Sequence, residues 1–171
     1  DLEYIFADLP DIGYSTDIDT VMASSYQVKK QLQQIVKIEQ PITNTLLYKR
    51  ILRIWNLTRV TTRLQVFIDN LLEDAYKDPL SGDTIIYWED EEKAKDCDFY
   101  RINSKRDILD IPILEVMSAA RYAIEQQISM PTEDLKRLTS QLLGFSRKGN
   151  NLDMVTEQTI QLLIDQGIFS H

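Results

Sequence analysis

The fold of this chain is decided by the segment PITNTLLYKRILRIWNLTRVTTRLQVFIDNLL, residues 41–72. Its apolar spacing predicts two amphipathic helices joined by a short polar turn at Asn56, Leu57 and Thr58. A weaker copy, MPTEDLKRLTSQLLGFSRKGNNLDMVTEQTI, occupies residues 130–160, and an offset of about 88 positions aligns the two without a gap. A supersecondary unit that is used twice decides the architecture, so this repeat is interpreted first.

Size and composition are those of a globular domain, with 171 residues, 43% hydrophobic and 27% charged. No apolar run approaches the roughly 20 residues that a membrane span needs, so no membrane partner is expected. The first residues show neither an initiator Met nor a signal peptide, which favours a fragment of a larger protein. The one cysteine, Cys97, excludes an internal disulfide and a Cys-rich zinc site. Nothing requires an oxidising compartment, so we expect a cytoplasmic location.

The net charge of −8 argues against a general polyanion binder. The distribution of the charges along the chain modifies this conclusion. Between residues 40 and 68 there is no acid, and five Lys and Arg side chains lie there. Between residues 69 and 98 eleven acids face only three lysines. The charge therefore changes sign within the first copy of the repeat.

The order of elements predicts a mainly α-helical fold with a small β-hairpin, built from tandem winged-helix-like (helix-turn-helix) repeats. Residues 1–40 are expected to form an N-terminal arm and a lead helix. Residues 41–103 form the first winged-helix-like unit, with a β-hairpin wing made by residues 84–88 and 98–102. Residues 104–171 form the second unit, whose wing is incomplete.

No enzyme constellation is present in the sequence. The only His is the last residue, and there is no P-loop, dinucleotide-binding turn or nucleophile elbow. The acidic segment 89–98 lacks the ligand spacing and central Gly of a calcium loop, which favours a solvated wing tip. We therefore expect no catalytic residues, no metal site and no cofactor.

Basic and polar residues cluster around the second helix of each copy, and they carry the functional hypothesis. Arg can donate bidentate hydrogen bonds to guanine or phosphate, and Thr, Gln or Asn can add polar contacts. The start of the helix in the second copy could also bind phosphate through free amides, and Gly149 would allow close backbone approach. The candidate nucleic-acid-binding residues are Lys49, Arg50, Arg53, Arg59, Thr62, Arg63, Arg147, Lys148, Asn150 and Asn151.

A structural interpretation of the same residues remains open. The basic side chains can equally be solvated helix faces or partners for the acidic segment. Arg59 and Arg147 coincide between the copies, which also fits a bond to a turn carbonyl. Aromatic residues could stack on bases, but core and strand packing explains them more simply. These aromatic residues are Trp55, Tyr87, Trp88 and Tyr100.

Three segments carry a resemblance to a known family: EQPIT…LLYKRILRIWNLTR, LDIPILEVMSAARYAIEQQ and DLKRLTSQLLGFSRKG…LIDQGIF. They resemble an uncharacterised C-terminal domain family (DUF) of bacterial superfamily-one DNA helicase-related proteins, over residues 30–169. The family's E-x-P-I motif is matched by Glu39, Pro41 and Ile42. Its aromatic or Gly-Phe before a basic turn is matched at residues 55–59 and 144–147.

A further motif of that family, I-P-x-x-E-x-x-x-A, is matched by Ile111, Pro112, Glu115 and Ala119. The first copy departs from the pattern at Asn56, where Gly is usual. The resemblance implies a parent protein that hydrolyses ATP and acts on nucleic acid, with its motor or nuclease domains upstream of this chain. It transfers no catalytic residue to the chain.

The leading hypothesis is a non-catalytic accessory domain of a helicase-related protein that contacts or positions DNA through its basic helix starts. The alternative is a protein–protein docking or dimerisation module that binds the upstream motor or nuclease domains, or a second copy of itself. A continuous positive ridge would favour nucleic acid, whereas an exposed apolar patch would favour a protein partner.

Overall fold

The chain forms two units in a computed structural model, which describes residues 2–95, 97–102, 105–127 and 129–170. The N-terminal unit is Ile5–Asp96, and the C-terminal unit combines Asp1–Tyr4 with Cys97–His171. Residues 5–40, which were predicted to form most of the arm and the lead helix, lie in the same unit as residues 41–96. The expected boundary between residues 103 and 104 lies outside the described residues.

The described part of the chain is mainly helical with small sheets, as predicted. The helices are α1 (Ile18–Ala23), α2 (Ser25–Glu39), α3 (Asn44–Ile54), α4 (Thr62–Leu71), α5 (Glu91–Ala94), α6 (Ile113–Glu125), α7 (Thr132–Leu142) and α8 (Asn150–Asp165), with a 3-10 helix at Ile108–Asp110. The strands are β1 (Leu2–Glu3), β2 (Ile42–Thr43), β3 (Tyr76–Lys77), β4 (Ile86–Trp88) and β5 (Arg101–Ile102).

Helices α2, α3 and α4 pack around one apolar core in the N-terminal unit. In α3, Leu47, Ile51 and Ile54 fall at i, i+4 and i+7, the spacing that places side chains on one helix face. All three are buried, so the predicted inner face is confirmed. Fully buried partners from the other two helices are Val28, Leu32, Ile35, Leu64 and Ile68.

The sheet of the N-terminal unit has the strand order β2-β4-β3, with antiparallel pairing throughout. Ile42 pairs with Tyr87, and Tyr76 pairs with Trp88. The predicted pairing of residues 84–88 with 98–102 is therefore wrong, because β5 pairs in parallel with β1 in the C-terminal unit. The acidic segment does not form a hairpin tip: Asp90 caps α5 by accepting from the Lys93 amide at 2.9 Å.

A buried ionic cluster lies in the C-terminal unit, where α6, α7 and α8 pack together. Glu115 on α6 is fully buried and lies 2.8 Å from Arg101 and 2.7 Å from Arg106. The Cζ atoms of these arginines lie 4.5 and 4.1 Å from the ring centroid of Tyr4. Burial opposes ionisation of Glu115, but hydrogen bonds and charge from both arginines outweigh it and hold the pKa of Glu115 below its ordinary value.

The repeat extends beyond the two helices that the sequence indicates. Helices α2, α3 and α4 begin at residues 25, 44 and 62, and α6, α7 and α8 begin at 113, 132 and 150. The starts of all three helices thus keep the offset of 88 positions. The repeated helix pair is confirmed, and a third helix precedes it in each copy.

The turn between the last two helices is also the same in both copies. Its left-handed residue is Asn56, with φ 49°, in the first copy and Gly144, with φ 96°, in the second. The Leu57 amide donates to the Leu52 carbonyl at 2.9 Å, and the equivalent bond from Phe145 to Ser140 is 3.0 Å. The backbone closes the two turns alike although their sequences differ.

Candidate functional site

A groove of about 360 Å³ lies between α7 and α8 of the C-terminal unit, and it gathers part of the predicted basic site. The turn that joins the two helices forms one wall, because its left-handed Gly144 redirects the chain there. Polar and charged side chains predominate in the lining. The residues that the argument uses are Glu133, Lys136, Arg147, Lys148, Gly149 and Asp153.

Lys136 lies in this groove with only 9% of its side chain exposed. Its ammonium donates a hydrogen bond to Asp153 and lies 3.7 Å from Glu133 and 3.9 Å from Glu157. The bond to Asp153 is the main reason that the pKa of Lys136 is raised, with the charges of the other two carboxylates adding to it. Lys136 therefore stays charged, and one carboxylate on α7 and two on α8 neutralise it.

The rim of the groove carries Arg147 and Lys148, which are both exposed. Asn150 and Asn151 begin α8 beside them and are also exposed, but they do not line the groove. No side chain caps this helix, because its N-cap residue is Gly149. The predicted residues of the second copy thus share one helix start with open backbone amides, where an anion is favoured.

The equivalent helix start in the N-terminal unit is already occupied by its own cap. The Thr61 hydroxyl accepts from the Leu64 amide at 3.2 Å. Arg59 and Thr62 are exposed there, as predicted. Arg63 is exposed too, but it pairs with Asp19 at 3.0 Å, so a solvated ion pair uses part of its charge.

Arg50 is removed from the candidate surface by its contacts inside the N-terminal unit. Its guanidinium donates to the Ala7 carbonyl at 2.6 Å and lies 3.3 Å from the fully buried Glu39. The same carboxylate accepts from the Ala7 amide at 2.8 Å. A buried carboxylate needs such a partner, so Arg50 holds the fold rather than facing a phosphate backbone. Its neighbours Lys49 and Arg53 remain on the exposed face of α3.

The aromatic residues pack inside the units, and the preferred interpretation as core and strand residues is confirmed for three of them. Trp55, Tyr87 and Trp88 are at most 4% exposed. The indole of Trp55 donates to Gln31, and that of Trp88 donates to Asp78. Tyr100 is half-buried against Tyr122, with 6.0 Å between ring centroids.

A second groove, of about 400 Å³, lies in the C-terminal unit, and its lining includes Tyr100, Arg121 and Glu125. Among the described residues, no group of three or more His, Cys, Asp or Glu side chains is arranged to hold a metal ion. Within the same ranges, no helix combines the length and the apolar character needed to cross a membrane. The groove between α7 and α8 and the two helix starts hold predicted site residues, so the functional argument is built on them.

Comparison with known proteins supports an uncharacterised domain family for part of the N-terminal unit. The family model described as "Protein of unknown function (DUF3320)" matches residues 22–66. That segment contains α2, β2, α3 and the first half of α4, which is most of the first copy of the repeat. No curated protein and no solved structure matches the chain.

Sequence reasoning missed Lys136 and its carboxylate partners. Lys136 interrupts the apolar face of α7, between Leu135 and Thr139, and a charged residue at such a position indicates a local partner.

Proposed function

We propose that this chain is a non-catalytic accessory module that contacts duplex DNA through the helix starts of its two repeated units. The resemblance to helicase-related proteins supports a parent with ATP-dependent motor or nuclease domains upstream, which would be its partners within the same polypeptide. The single observation that carries the proposal is the pair Arg59 and Arg147. Both are exposed, both precede the last helix of their copy, and both follow the same left-handed turn.

The topology of the N-terminal unit supports a winged-helix assignment. Its elements run helix, strand, helix, helix, strand, strand, and the first strand pairs with the last. In this assignment α4 would be the recognition helix that enters the major groove, and residues 78–85 would be the wing. The wing predicted from the sequence included residues 98–102, whereas the sheet in this assignment consists of β2, β3 and β4 alone.

Local charge supports the proposal more than net charge does. The N-terminal unit has eleven Lys and Arg against fifteen Asp and Glu, a net charge of −4. Several of these acids are bound within the unit, as Glu39 is by Arg50, and others lie on α5. Lys49, Arg53 and Arg59 lie in the acid-free stretch on exposed positions. A phosphate backbone is attracted by that local field rather than by the whole molecule.

A protein partner is the second candidate, and a specific observation favours it. Val66, in the middle of the exposed face of α4, is 53% exposed, and Tyr26 on α2 is 75% exposed. Met22 is also exposed and lies 3.5 Å from the Arg63 guanidinium through its sulfur. An apolar surface on a negatively charged unit is suited to docking on the parent's other domains or on a second copy of the chain.

Fluorescence anisotropy of the 171-residue chain with labelled duplex, forked and single-stranded DNA tests the proposal. We expect binding that weakens steeply with salt, because each phosphate contact releases a counterion. The Arg59→Glu/Arg147→Glu double variant should lower affinity for the duplex by at least about tenfold. Lys30→Glu/Lys37→Glu, an equal change of charge at two exposed positions of α2, is the matched control and should lower it by less than about threefold.

Two outcomes would overturn the proposal. The first is an absence of binding to any of the three DNA forms at low salt. The second is an equal loss of affinity in the Arg59→Glu/Arg147→Glu variant and in the Lys30→Glu/Lys37→Glu control, which would indicate attraction by overall charge alone. Size-exclusion chromatography with light scattering then tests the second candidate. A dimer that Val66→Glu dissociates would support docking between copies of the chain.

A further inference from the structure

The second groove of the C-terminal unit, of about 400 Å³, contains none of the predicted nucleic-acid-binding residues. Strand β1, the segment before β5 and the last two turns of α6 form its walls. The residues that carry the argument are Leu2, Asp98, Tyr100, Tyr122 and Glu125. The volume is that of an ordinary ligand pocket, so the chemistry of the walls decides what the groove can hold.

Two tyrosines give this groove an aromatic wall. The ring centroids of Tyr100 and Tyr122 lie 6.0 Å apart, and their planes are inclined by 56°. Tyr122 is 44% exposed, so its ring is accessible from the groove. The face of such a ring carries partial negative charge and attracts a cation within about 6 Å of its centroid. The wall therefore favours a positively charged group.

Two carboxylates line the same groove. Asp98 and Glu125 are exposed, and among the described residues neither is paired with a cation. The cation in the lining, Arg121, donates to the Ser118 hydroxyl at 3.2 Å. Glu3, which follows Leu2 on β1, is also exposed. Negative charge thus exceeds positive charge in and beside the groove, which attracts a cationic ligand.

The end of α6 adds to this negative field. Its last turn contains Tyr122 and Glu125 and no basic residue. The free carbonyls at a helix C-terminus carry partial negative charge, so a cation is stabilised beside them. The phosphates of a single strand of DNA would be repelled by the same groups, although the tyrosine rings could stack on its bases. Charge therefore favours a cation over nucleic acid here.

An open strand edge lies beside the groove. Strand β1 pairs with β5, and the described residues provide no strand on its other side. Both residues of β1 are exposed. An extended peptide can add to such an edge through backbone hydrogen bonds. Side chains at registered positions point to the same face of a sheet, so a peptide residue opposite Leu2 would share the face on which Leu2 lines the groove.

We propose that this groove binds a Lys or Arg side chain of a protein partner, presented by an extended segment that adds to the edge of β1. The cation lies against the rings of Tyr100 and Tyr122, and the carboxylates of Asp98 and Glu125 balance its charge. The inference goes beyond the proposed function, because it assigns a protein partner to a surface that does not include the two helix starts.

Fluorescence anisotropy with a labelled, capped heptapeptide tests the inference on the 171-residue chain. The peptide alternates threonine and valine around one central arginine, and the salt concentration is about 0.15 M, which screens attraction by distant charges. Replacing the arginine by citrulline keeps its size and removes its charge, so affinity should fall at least about fivefold. Methylating alternate backbone amides blocks strand pairing and should lower affinity by a similar factor of about five.

Variants of the chain locate the binding site. Tyr122→Leu keeps an apolar side chain but removes the ring, and it should weaken binding at least about fivefold, whereas Tyr122→Phe should stay within about twofold of the native chain. Tyr14→Leu, at an exposed position of the N-terminal unit, is its control and should also stay within about twofold.

A second pair of variants tests the charge of the groove. Glu125→Gln should weaken binding about threefold, because a partly exposed ion pair contributes modestly. Its matched control is Asp165→Asn, which removes one carboxylate at the equivalent place, the last residue of α8, and should change affinity by less than about 1.5-fold.

Four outcomes would overturn the inference. The first is equal binding of the arginine and citrulline peptides, a comparison that uses the native chain and does not depend on the folding of any variant. The second is equal binding of the methylated peptide, which would exclude strand addition. The third is an equal loss of affinity in Glu125→Gln and Asp165→Asn, which would indicate overall charge alone. The fourth is binding of single-stranded DNA that Tyr122→Leu weakens, which would assign the groove to bases. None of these outcomes bears on contact between the helix starts and duplex DNA, so the proposed function is tested separately.

Discussion

Replacing Glu115 by Gln should destabilise the C-terminal unit strongly. The carboxylate accepts five hydrogen bonds from two residues: from the backbone amide of Arg101 at 3.0 Å, from its Nε at 3.0 Å and Nη2 at 2.8 Å, and from Arg106 Nη1 at 2.7 Å and Nη2 at 3.2 Å. All three side chains are at most 8% exposed. The amide of Gln would keep the shape but remove the negative charge that faces two buried guanidinium groups.

The size of the expected loss of stability in Glu115→Gln follows from the burial of the ion pairs. Breaking a buried ion pair by removing one partner costs about 3–5 kcal/mol, because the remaining charge stays desolvated. A unit of this size is stable by roughly 4–12 kcal/mol in total. With a urea m value of about 1.5 kcal/mol per molar, the unfolding midpoint of the unit should fall by about 2–3 M.

Two spectroscopic probes show which of the two units loses stability. Both tryptophans, Trp55 and Trp88, lie in the N-terminal unit, so their fluorescence reports that unit, whereas far-ultraviolet circular dichroism reports the helices of both. Hydrogen exchange with mass spectrometry locates the loss of protection, which should appear in α6, α7 and α8. The matched control is Glu125→Gln, an exposed position on the same helix, which should change the midpoint by less than about 0.3 M. A midpoint for Glu115→Gln within 0.5 M of the native chain, a margin of roughly 0.75 kcal/mol at that m value, would refute the reasoning.

The other predictions concern pH, a buried hydroxyl and the repeated turn. The pKa of Glu115 is lower in the folded chain than in the unfolded one, so the ionised carboxylate stabilises the fold above its unfolded pKa, and this stabilisation is lost as the pH falls through the folded pKa. Thermal melts should therefore show that the C-terminal unit becomes less stable below about pH 4. Burial raises the pKa of Tyr87 to about 12, so its contribution to the stability of the fold is complete below about pH 10 and is lost between about pH 10 and 12. Thermal melts at high pH should show this loss of stability. Among the described residues the Tyr87 hydroxyl has no hydrogen-bond partner, so Tyr87→Phe should change the free energy of unfolding by less than about 1 kcal/mol. Tyr48→Phe removes the hydrogen bond to Asp69 and should cost about 1–2 kcal/mol, as measured by urea unfolding. Gly144→Ala should cost at least about 1 kcal/mol because its φ is 96°, whereas Gly82→Ala, in open space, should be near neutral.

Local periodicity accounts for the parts of the fold that the sequence predicts. The buried faces of α3 and α4 follow from apolar spacing within each helix, and the turn follows from its polar residues. Strand β4 was recognised from its β-branched and aromatic residues, but its partner was not. Pairing depends on segments distant in the chain: β2 lies more than forty residues before β4, and β1 is almost one hundred residues from β5. No local pattern specifies such a register.

The same distinction separates the site residues. Arg59 and Arg147 lie exposed, as expected of a polar turn at a helix start. Arg50 was misassigned because its partners are remote: Glu39 is eleven residues earlier, and Ala7 is forty-three. A charged residue whose counter-charge comes from another helix cannot be distinguished, in the sequence alone, from one that faces solvent.

The cap at one helix start and its absence at the other make the two copies unequal. In the N-terminal unit the Thr61 hydroxyl already satisfies the Leu64 amide, whereas no side chain performs that task before α8. In the proposed complex with DNA, an incoming phosphate would displace an existing bond in the first copy and fill an open position in the second. The two copies should then engage in sequence, the C-terminal one first. The other would follow at the high effective concentration that a shared polypeptide provides, so a modest affinity at each would suffice for a durable attachment.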